Sequence, residues 1–357
     1  MNKLFRFAVV GTGDIADFYL DYFGRRQNKD NVEFAGAWNR TREKGKKFVE
    51  KFGGKLYDSL EKLLADPEID AVVNLTSPKA HEEITSFCLK AGKHVLSEKP
   101  LALSTERAEE LIELASDRGV VLACAPFILL GRNQREVKKL IGGGRIGKPV
   151  SVAAEMFHGR VESWHDNPEQ FYGEGAGPLL DVGPYPVSLM IYWFGDVRAV
   201  EGMFDIAIPE RVTKSGRHFR VTRFDQGVAL LRFDNGVIGR IAFSFANCHT
   251  GYHGLEIQGT EGSISLSSMF AGQGELRIAG RDSPGWDHVE GDPSPQPASG
   301  VDWGGGIYEL AAAVRENRQP ENSADLAFRT LNILLAINEA ARTDSTIYFR
   351  EGRRLTE

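Results

Sequence analysis

The chain is poor in cysteine, in long apolar runs and in clustered basic charge. Its three cysteines are Cys88, Cys124 and Cys248. Cys88 falls on a helix face and Cys124 at the end of an apolar strand, so buried free thiols are expected rather than a disulfide framework. That points to a reducing, cytoplasmic setting. No apolar stretch reaches the length of a membrane span. Met1-Asn2-Lys3-Leu4 runs straight into an apolar strand, which leaves no room for a signal peptide. The 43 basic residues are outnumbered by 49 acidic ones, for a net charge of −6, and form no long run. Neither nucleic acid nor a membrane is therefore expected as a partner. No Gly-x-Ser-x-Gly or other nucleophile motif is present. His249 and His253 flank Thr250-Gly251-Tyr252 without Cys or acidic partners, so no metal site is expected.

What is present is a strand-helix rhythm. The 357 residues, 42% hydrophobic and 26% charged, suffice for two globular domains. Phe5–Val10, Val32–Ala37, Ala71–Leu75, Lys93–Leu96 and Val120–Ala123 are short apolar runs, the pattern of strands buried on both faces. Helical segments separate them. Ser77 and Pro78 mark one helix start, with Ser77 as cap and Pro78 in the first turn. Ile84, Phe87, Cys88 and Ala91 make its apolar face, and Gly92 ends it. Ser104 caps the next helix, whose buried face includes Leu111, Leu114 and Ala115. This alternation predicts a parallel, doubly wound α/β sheet over residues 1–125.

After Pro126 the rhythm changes. A helix near Arg132–Ile141 leads through Gly142-Gly143-Gly144 to a strand from Pro149. A loop with Gly173, Gly175 and Gly177 leads to a helix over Asp181–Phe194. Strands are expected at about Ala199–Ile208, Gly227–Phe233, Val237–Phe245, Leu255–Gln258 and Ser263–Leu266, with a hairpin turn at Asp234-Asn235-Gly236. Asp282–Gly300 reads as a loop. Helices near Ile307–Glu316 and Ser323–Thr343 precede a last strand at Thr346–Phe349. Residues 126–357 thus form a second α/β domain with an open, mostly antiparallel sheet, whose last helices pack back on the first domain. No internal repeat is found.

The chemistry concentrates at strand ends. Gly11-Thr12-Gly13-Asp14-Ile15-Ala16 follows the first strand and opens a helix. Its first Gly permits a tight turn, its second lets backbone approach a pyrophosphate, and Ala16 takes the tight-packing third position. The helix start offers unpaired N–H groups to phosphates. Thr76-Ser77-Pro78 ends another strand. Lys93 to Pro100, Lys-His-Val-Leu-Ser-Glu-Lys-Pro, delivers Glu98 and Lys99 just beyond a strand's carboxyl end, where ligands of parallel sheets sit. Being adjacent, Glu98 and Lys99 point to opposite faces, one toward a nicotinamide ribose and the other toward substrate. Asp181 and Tyr185, four residues apart at a helix start, are expected on one helix face. Trp164-His165-Asp166-Asn167-Pro168 offers an aromatic platform for a sugar ring and a polar group, or is simply a structural loop.

The fingerprint, Thr76-Ser77-Pro78, Ser97-Glu98-Lys99-Pro100 and Asp181-Val182-Gly183-Pro184-Tyr185 together resemble the Gfo/Idh/MocA oxidoreductase family. The resemblance runs from Phe5 to about Phe349 and includes the branch with Tyr in the last motif. It implies NAD(P)-dependent hydride transfer on a sugar, polyol or related hydroxylated ring. It makes Lys99 the catalytic lysine, hydrogen-bonded to the reacting oxygen. Tyr185 then transfers a proton, its phenol acidified by a nearby lysine. Asp181 binds a substrate hydroxyl and orients Lys99, and Lys99 itself serves as the proton donor if Tyr185 does not. His81 takes a position that faces the cofactor side in the family, or is a satisfied structural histidine. The family also suggests dimers or tetramers packed through the second domain's sheet. Two rivals share the fold, an NAD-dependent glycosidase and a non-catalytic cofactor-sensing regulator.

The adenosine end of the cofactor is expected at Asn39 and Arg40. A carboxylate there would repel a 2′-phosphate, whereas an arginine pairs with it. With neutral Asn39 and cationic Arg40 and Arg42, NADP(H) is favoured and NAD(H) remains possible, Arg40 then only stacking on the adenine.

Overall fold

The structure is a computed structural model that describes residues 3–26, 31–173, 176–250, 254–270, 274–289, 302–350 and 352–355. It divides into two compact units, Met1–Leu130 with Val301–Leu331, and Gly131–Gly300 with Asn332–Glu357.

The first unit alternates β1 (Phe5–Val10), α1 (Asp14–Arg26), β2 (Val32–Trp38), α2 (Arg42–Phe52), β3 (Lys55–Leu56), α3 (Leu60–Leu64), β4 (Ala71–Asn74), α4 (Pro78–Lys90), β5 (His94–Ser97), α5 (Thr105–Asp117) and β6 (Leu122–Cys124). All strands are parallel, in the order β3-β2-β1-β4-β5-β6. Phe7 to Val10 and Ala71 to Val73 have no solvent exposure, as apolar strands covered on both faces require. Phe7 packs edge-on against Phe23 of α1 and beside Phe34 of β2. Each such buried ring contributes ~2 kcal/mol or more of transfer free energy. Ile307, Leu310 and Ala311, from a helix far along the chain, complete this core.

Three details depart from the sequence reading. β3 is only two residues long at the sheet edge, too short for a periodic signal. On α4 the buried positions are His81, Ile84, Thr85, Cys88 and Leu89, while Phe87 is exposed, so its inner face is turned by one residue. Ser77 sits at the N-cap but makes no side-chain cap bond, because its own carbonyl already accepts the Ala80 N–H. Ser104 does cap α5, accepting from the Arg107 N–H.

In the second unit, α6 (Arg132–Gly142) leads to β7 (Pro149–Phe157), α7 (Pro178–Asp181), α8 (Pro184–Phe194), β8 (Val197–Asp205), β9 (Glu210–Val212), β10 (His218–Arg220), β11 (Gln226–Phe233), β12 (Ile238–Ser244), β13 (Leu255–Gly259), β14 (Gly262–Leu266), β15 (Leu276–Gly280) and β16 (Asp287–His288). Then come α9 (Gly305–Glu316), which belongs to the first unit, α10 (Ala324–Thr343), β17 (Ile347–Arg350) and β18 (Arg353–Arg354). Ten strands pair in the order β16-β15-β14-β13-β7-β12-β11-β8-β17-β18. Only β7 and β12 run parallel; β9 and β10 form a separate hairpin. The Asp234–Gly236 turn is present, with Gly236 at φ 89°.

One face of the large sheet lies under α8 and α10. A Cβ on Gly239 would meet the Met190 sulfur of α8, and one on Gly202 would meet Ile337 and Ala341 of α10. Along β11, Ala229, Leu231 and Phe233 point to this covered face. Val228 and Leu230, at 38% and 42% exposure, point away, as do Met203 and Ile238. Val228 pairs with Met203 and Ala242, and Leu230 with Glu201 and Arg240. Both alternations of β11 are apolar, as its sequence suggests, but only one is buried within this chain.

The expected continuous helix over Asp181–Phe194 is instead two helices. Pro184 has no N–H to donate and cannot continue the hydrogen-bond ladder, so α7 ends at Asp181 and α8 starts afresh. Gly183 bridges them, its N–H bonded back to the Pro178 and Leu179 carbonyls. Asp181 and Tyr185 are therefore on different helices joined by a turn. The β9–β10 hairpin and β15 were not anticipated. Of Asp282–Gly300, residues 287–288 are strand, and Glu290–Gly300 lie outside the described residues.

Candidate active site

In the first unit the candidate residues gather at the carboxyl ends of four neighbouring strands. Gly11 to Ile15 follow β1, Asn39 and Arg40 follow β2, Thr76 and Ser77 follow β4, and Glu98 and Lys99 follow β5. The β1–β4 pair is where the strand order reverses, the crevice in which open α/β sheets bind ligands. Gly11 has φ 91°, and a Cβ there would lie 2.7 Å from the Leu75 carbonyl and the Thr76 nitrogen. Gly13 differs, since nothing lies within 4 Å of its ideal Cβ. Asp14 and Ile15 open α1, where N–H groups have no intrahelical acceptor. A close turn, an open glycine and a free helix start fit a dinucleotide pyrophosphate.

Asn39 ties two of these loops together. Its amide donates to Thr12 Oγ1 at 2.7 Å, and its carbonyl accepts the Thr41 N–H at 2.9 Å. Arg40 is exposed. Arg42 pairs with Asp58 across an exposed 2.8 Å contact, which leaves Arg40 as the better-placed cation of the two.

The ends of β4 and β5 are tightly braced. Buried Asn74 accepts from Thr76 Oγ1 at 2.7 Å and donates to the His81 carbonyl and Thr85 Oγ1. His81 is 1% exposed. Its Nδ1 lies 2.9 Å from the Pro100 carbonyl and its Nε2 2.9 Å from the Thr76 carbonyl. Both ring nitrogens are thereby occupied by backbone, so the expectation that His81 contacts cofactor gives way to a bracing role. Glu98 is likewise turned inward, at 8% exposure. Its Oε1 accepts from the buried Tyr19 hydroxyl at 2.6 Å, and its Oε2 from the Lys99 N–H at 2.8 Å. Beneath it, burial pushes the Cys124 thiol well up, and the Glu98 carboxylate adds to the effect, so this thiol stays protonated and inert.

In the second unit, Asp181 and Tyr185 flank the α7–α8 turn, both partly exposed. The Tyr185 ring packs edge-on against Phe270 at 4.8 Å. Trp164 and His165 lie in the loop after β7. Trp164 is 46% exposed and touches His158, His165 and Phe171. His165 Nδ1 accepts the Asn167 N–H at 2.9 Å, a local turn that holds its ring.

Sequence reasoning missed the groups that hold this loop. Arg211 of β9, its side chain fully buried, donates to Glu162 at 2.8 Å and to Asp225 at 2.6 Å. It also donates to the Tyr172 hydroxyl and the Phe245 carbonyl. Tyr172 in turn donates to Glu162, and its phenol is held well above its ordinary pKa by burial and by that carboxylate. Lys214 of the same hairpin donates to the Trp164 carbonyl at 2.6 Å. Tyr19 was missed as well. Neither Arg211 nor Tyr19 stands in a recognisable motif, and only the contacts reveal them.

The chain is similar to known proteins in sequence and in fold. An oxidoreductase family with an NAD-binding Rossmann fold matches residues 5–125, and the GFO/IDH/MocA C-terminal domain matches residues 134–265. The chain belongs to the Gfo/Idh/MocA oxidoreductase family. Among its relatives, 1,5-anhydro-D-fructose reductase of Ensifer adhaerens is 28% identical over 90% of this chain and 92% of its own length. scyllo-Inositol 2-dehydrogenase (NADP(+)) of Bacillus subtilis is 24% identical over 97% of this chain and 98% of its own. Levoglucosan dehydrogenase, in complex with NADH and L-sorbose, shares the fold with a TM-score of 0.83. That match has 23% identity and covers 98% of this chain and 100% of the other.

The two glycines of the family fingerprint make different demands. Gly11→Ala meets both a left-handed backbone and a backbone clash, and is expected to cost ~2 kcal/mol or more of stability. Gly13→Val meets neither and is expected to fold as wild type while losing dinucleotide affinity, because its side chain fills phosphate space. Thermal denaturation alongside calorimetric titration of NAD(H) and NADP(H) separates the two. Wild-type affinity in Gly13→Val would remove the pyrophosphate from this loop.

Proposed function

We propose that this family member is an NAD(P)-dependent oxidoreductase acting on a hydroxylated carbon of a sugar, polyol or related ring. The observation that carries this reading is Lys99, launched at the carboxyl end of β5 from a backbone fixed by Glu98, beside the loops suited to a dinucleotide. Relatives named for an anhydrofructose and an inositol support the substrate class. When bound, the nicotinamide accepts or supplies the hydride. Gly11, Thr12, Gly13, Asp14 and Ile15 bind the pyrophosphate, and Thr76, Ser77 and Pro78 border the stretch toward the nicotinamide. Lys99 hydrogen-bonds the reacting oxygen and stabilises negative charge developing there. Tyr185 moves the proton, and Asp181 holds a neighbouring hydroxyl. Trp164 offers its exposed ring face to the apolar side of the sugar, with His165 beside it.

The cofactor preference is proposed as NADP(H), with NAD(H) accepted. Asn39 is neutral and already committed to Thr12 and Thr41, so it makes no charge conflict with a 2′-phosphate, and Arg40 is free to approach one. Buried Cys88 and Cys124 suit a reducing cytoplasm. Among the described residues no helix is long and apolar enough to cross a membrane. The uncovered sheet face, with Met203, Val228, Leu230 and Ile238 exposed, is proposed as the contact between copies of this chain.

Substrate and cofactor are tested together by following nicotinamide absorbance over a panel of sugars and polyols with each cofactor. Turnover is expected, with a higher kcat/KM for NADP(H). Arg40→Ala should weaken NADP(H) more than NAD(H). Equal losses would mean that Arg40 does not read the phosphate, and no turnover with any pair would overturn the activity.

On the substrate so found, Lys99→Met is expected to lose about a hundredfold or more in kcat with cofactor affinity unchanged, since a charge aimed at the reacting oxygen is gone. Tyr185→Phe keeps the ring against Phe270 and is expected to lose ~100-fold or more through the missing proton carrier. Near-normal kcat in Lys99→Met would refute its role. Near-normal kcat in Tyr185→Phe alone would transfer the proton step to Lys99.

Light scattering at micromolar concentration is expected to show a dimer or tetramer that Leu230→Glu dissociates. A stable wild-type monomer would contradict the proposed contact.

A further inference from the structure

The second unit contains a cavity of about 460 Å³, lined by parts of α7, the last turns of α10 and the loop ahead of β11. Asp181, Tyr185, Trp164 and His165 do not line it. Sites that take small molecules are of this size, ~300–1,000 Å³.

The polar lining is rich in donors. Asn338 and Arg342, four residues apart, lie on one face of α10. Among the described residues neither side chain makes a hydrogen bond. Glu339, the carboxylate beside Arg342, is already held through both oxygens by Arg354. From the loop ahead of β11, Arg223 adds a second guanidinium. None of the lining residues is acidic, and guanidinium groups in proteins keep their charge. Such a cavity favours an anion, which an arginine grips with paired, charge-assisted N–H bonds.

The rest of the lining bears on the body that carries the charge. Thr222 gives its hydroxyl proton to the Tyr172 carbonyl at 3.4 Å, so toward the cavity its oxygen only accepts. Leu180 and Phe224 add apolar surface. A hydroxyl acceptor beside an apolar wall suits a hydroxylated carbon skeleton, whose C–H face packs on the wall while a hydroxyl donates to Thr222.

We propose that this cavity binds a small hydroxylated organic anion, a carboxylate or phosphate carried on a sugar-sized body. Arg342 and Asn338 hold the charged group, and Thr222 accepts from a hydroxyl. The site is built from residues other than those proposed for turnover, and it stands whether or not that activity does.

Calorimetric titration in the absence of nicotinamide cofactor tests it, with glucose 6-phosphate, glucuronate, glucose and inorganic phosphate as probes. One of the two organic anions is expected to bind about tenfold or more tighter than glucose and than inorganic phosphate, and which one does so tells phosphate from carboxylate. Arg342→Gln should weaken that anion about tenfold or more, the loss of one charge-assisted bond. Arg342 is exposed, so the variant is expected to keep the wild-type melting temperature, and the anion should raise that temperature in wild type but not in the variant. Asp181→Asn should bind the anion as wild type does. Failure of both organic anions to bind, equal affinity for inorganic phosphate, or wild-type affinity in Arg342→Gln would overturn the inference. So would a loss in Asp181→Asn that Arg342→Gln does not share, since the anion would then occupy the site proposed for turnover.

Discussion

The close approach of Gly11 to the Leu75 carbonyl is the constraint on which the dinucleotide-binding unit depends. It occurs where β1 and β4 lie side by side and their connections leave in opposite directions. The chain after β1 must turn sharply enough to clear β4 and still aim α1 at the crevice. At φ 91°, with backbone only 2.7 Å from any Cβ, glycine alone does both. Once that turn is made, the start of α1 faces the gap, Thr12 comes within 2.7 Å of the Asn39 amide, and the loops after β1 and β2 act as one surface. The open space at Gly13 follows from the same turn.

A second feature is that the Glu98 carboxylate, near the proposed cofactor site, is turned away from it. Glu98 is next to Lys99 in sequence, and alternation alone allows it to face a ribose. Tyr19, projecting from α1 into the core, captures it instead. The captured carboxylate accepts the Lys99 N–H, so a group that sequence suggests is a ligand contact becomes part of the lysine's mounting. His81 has the same fate on the other side. Both are polar groups in an apolar setting, and both satisfy the rule that such groups be hydrogen-bonded.

How much of this was legible in the sequence follows from which forces leave a local trace. The first unit's strands were readable because both faces are buried, and an apolar run such as Phe5–Val10 has no other soluble explanation. The glycine fingerprint was readable because backbone geometry restricts it to one residue type. The break between Asp181 and Tyr185 was also written locally, in Pro184, but the four-residue spacing outweighed it in the reading. The bracing roles of His81 and Glu98 were not legible, since each depends on acceptors or donors 5 to 79 residues away. The β9–β10 hairpin was invisible for a related reason. Its strands are three residues each, too short for alternation to show, and they are held by one buried residue apiece, Arg211 and Phe219.

That arginine shows how the second unit ties down a loop by matched charge as well as by the buried rings of Tyr172, Phe219 and Phe245. A buried guanidinium is costly unless every donor is used and its charge is matched. Here Glu162 and Asp225 supply two carboxylates, and the Tyr172 hydroxyl and Phe245 carbonyl take further donors. Asp225 is itself satisfied by the Ala207 and Ile208 N–H groups. Replacing Arg211 or either carboxylate leaves charge unmatched in the interior, so the network resists partial loosening. It clamps both ends of the segment from Glu162 to Tyr172, between which Trp164 stands exposed. An indole held out in water by a fixed backbone carries little entropy cost on meeting a ring, since the ordering has already been supplied by the fold. The charged, buried arginine and the exposed tryptophan are thus two parts of one arrangement, the first restricting the loop so that the second already stands where the proposed sugar contact needs it.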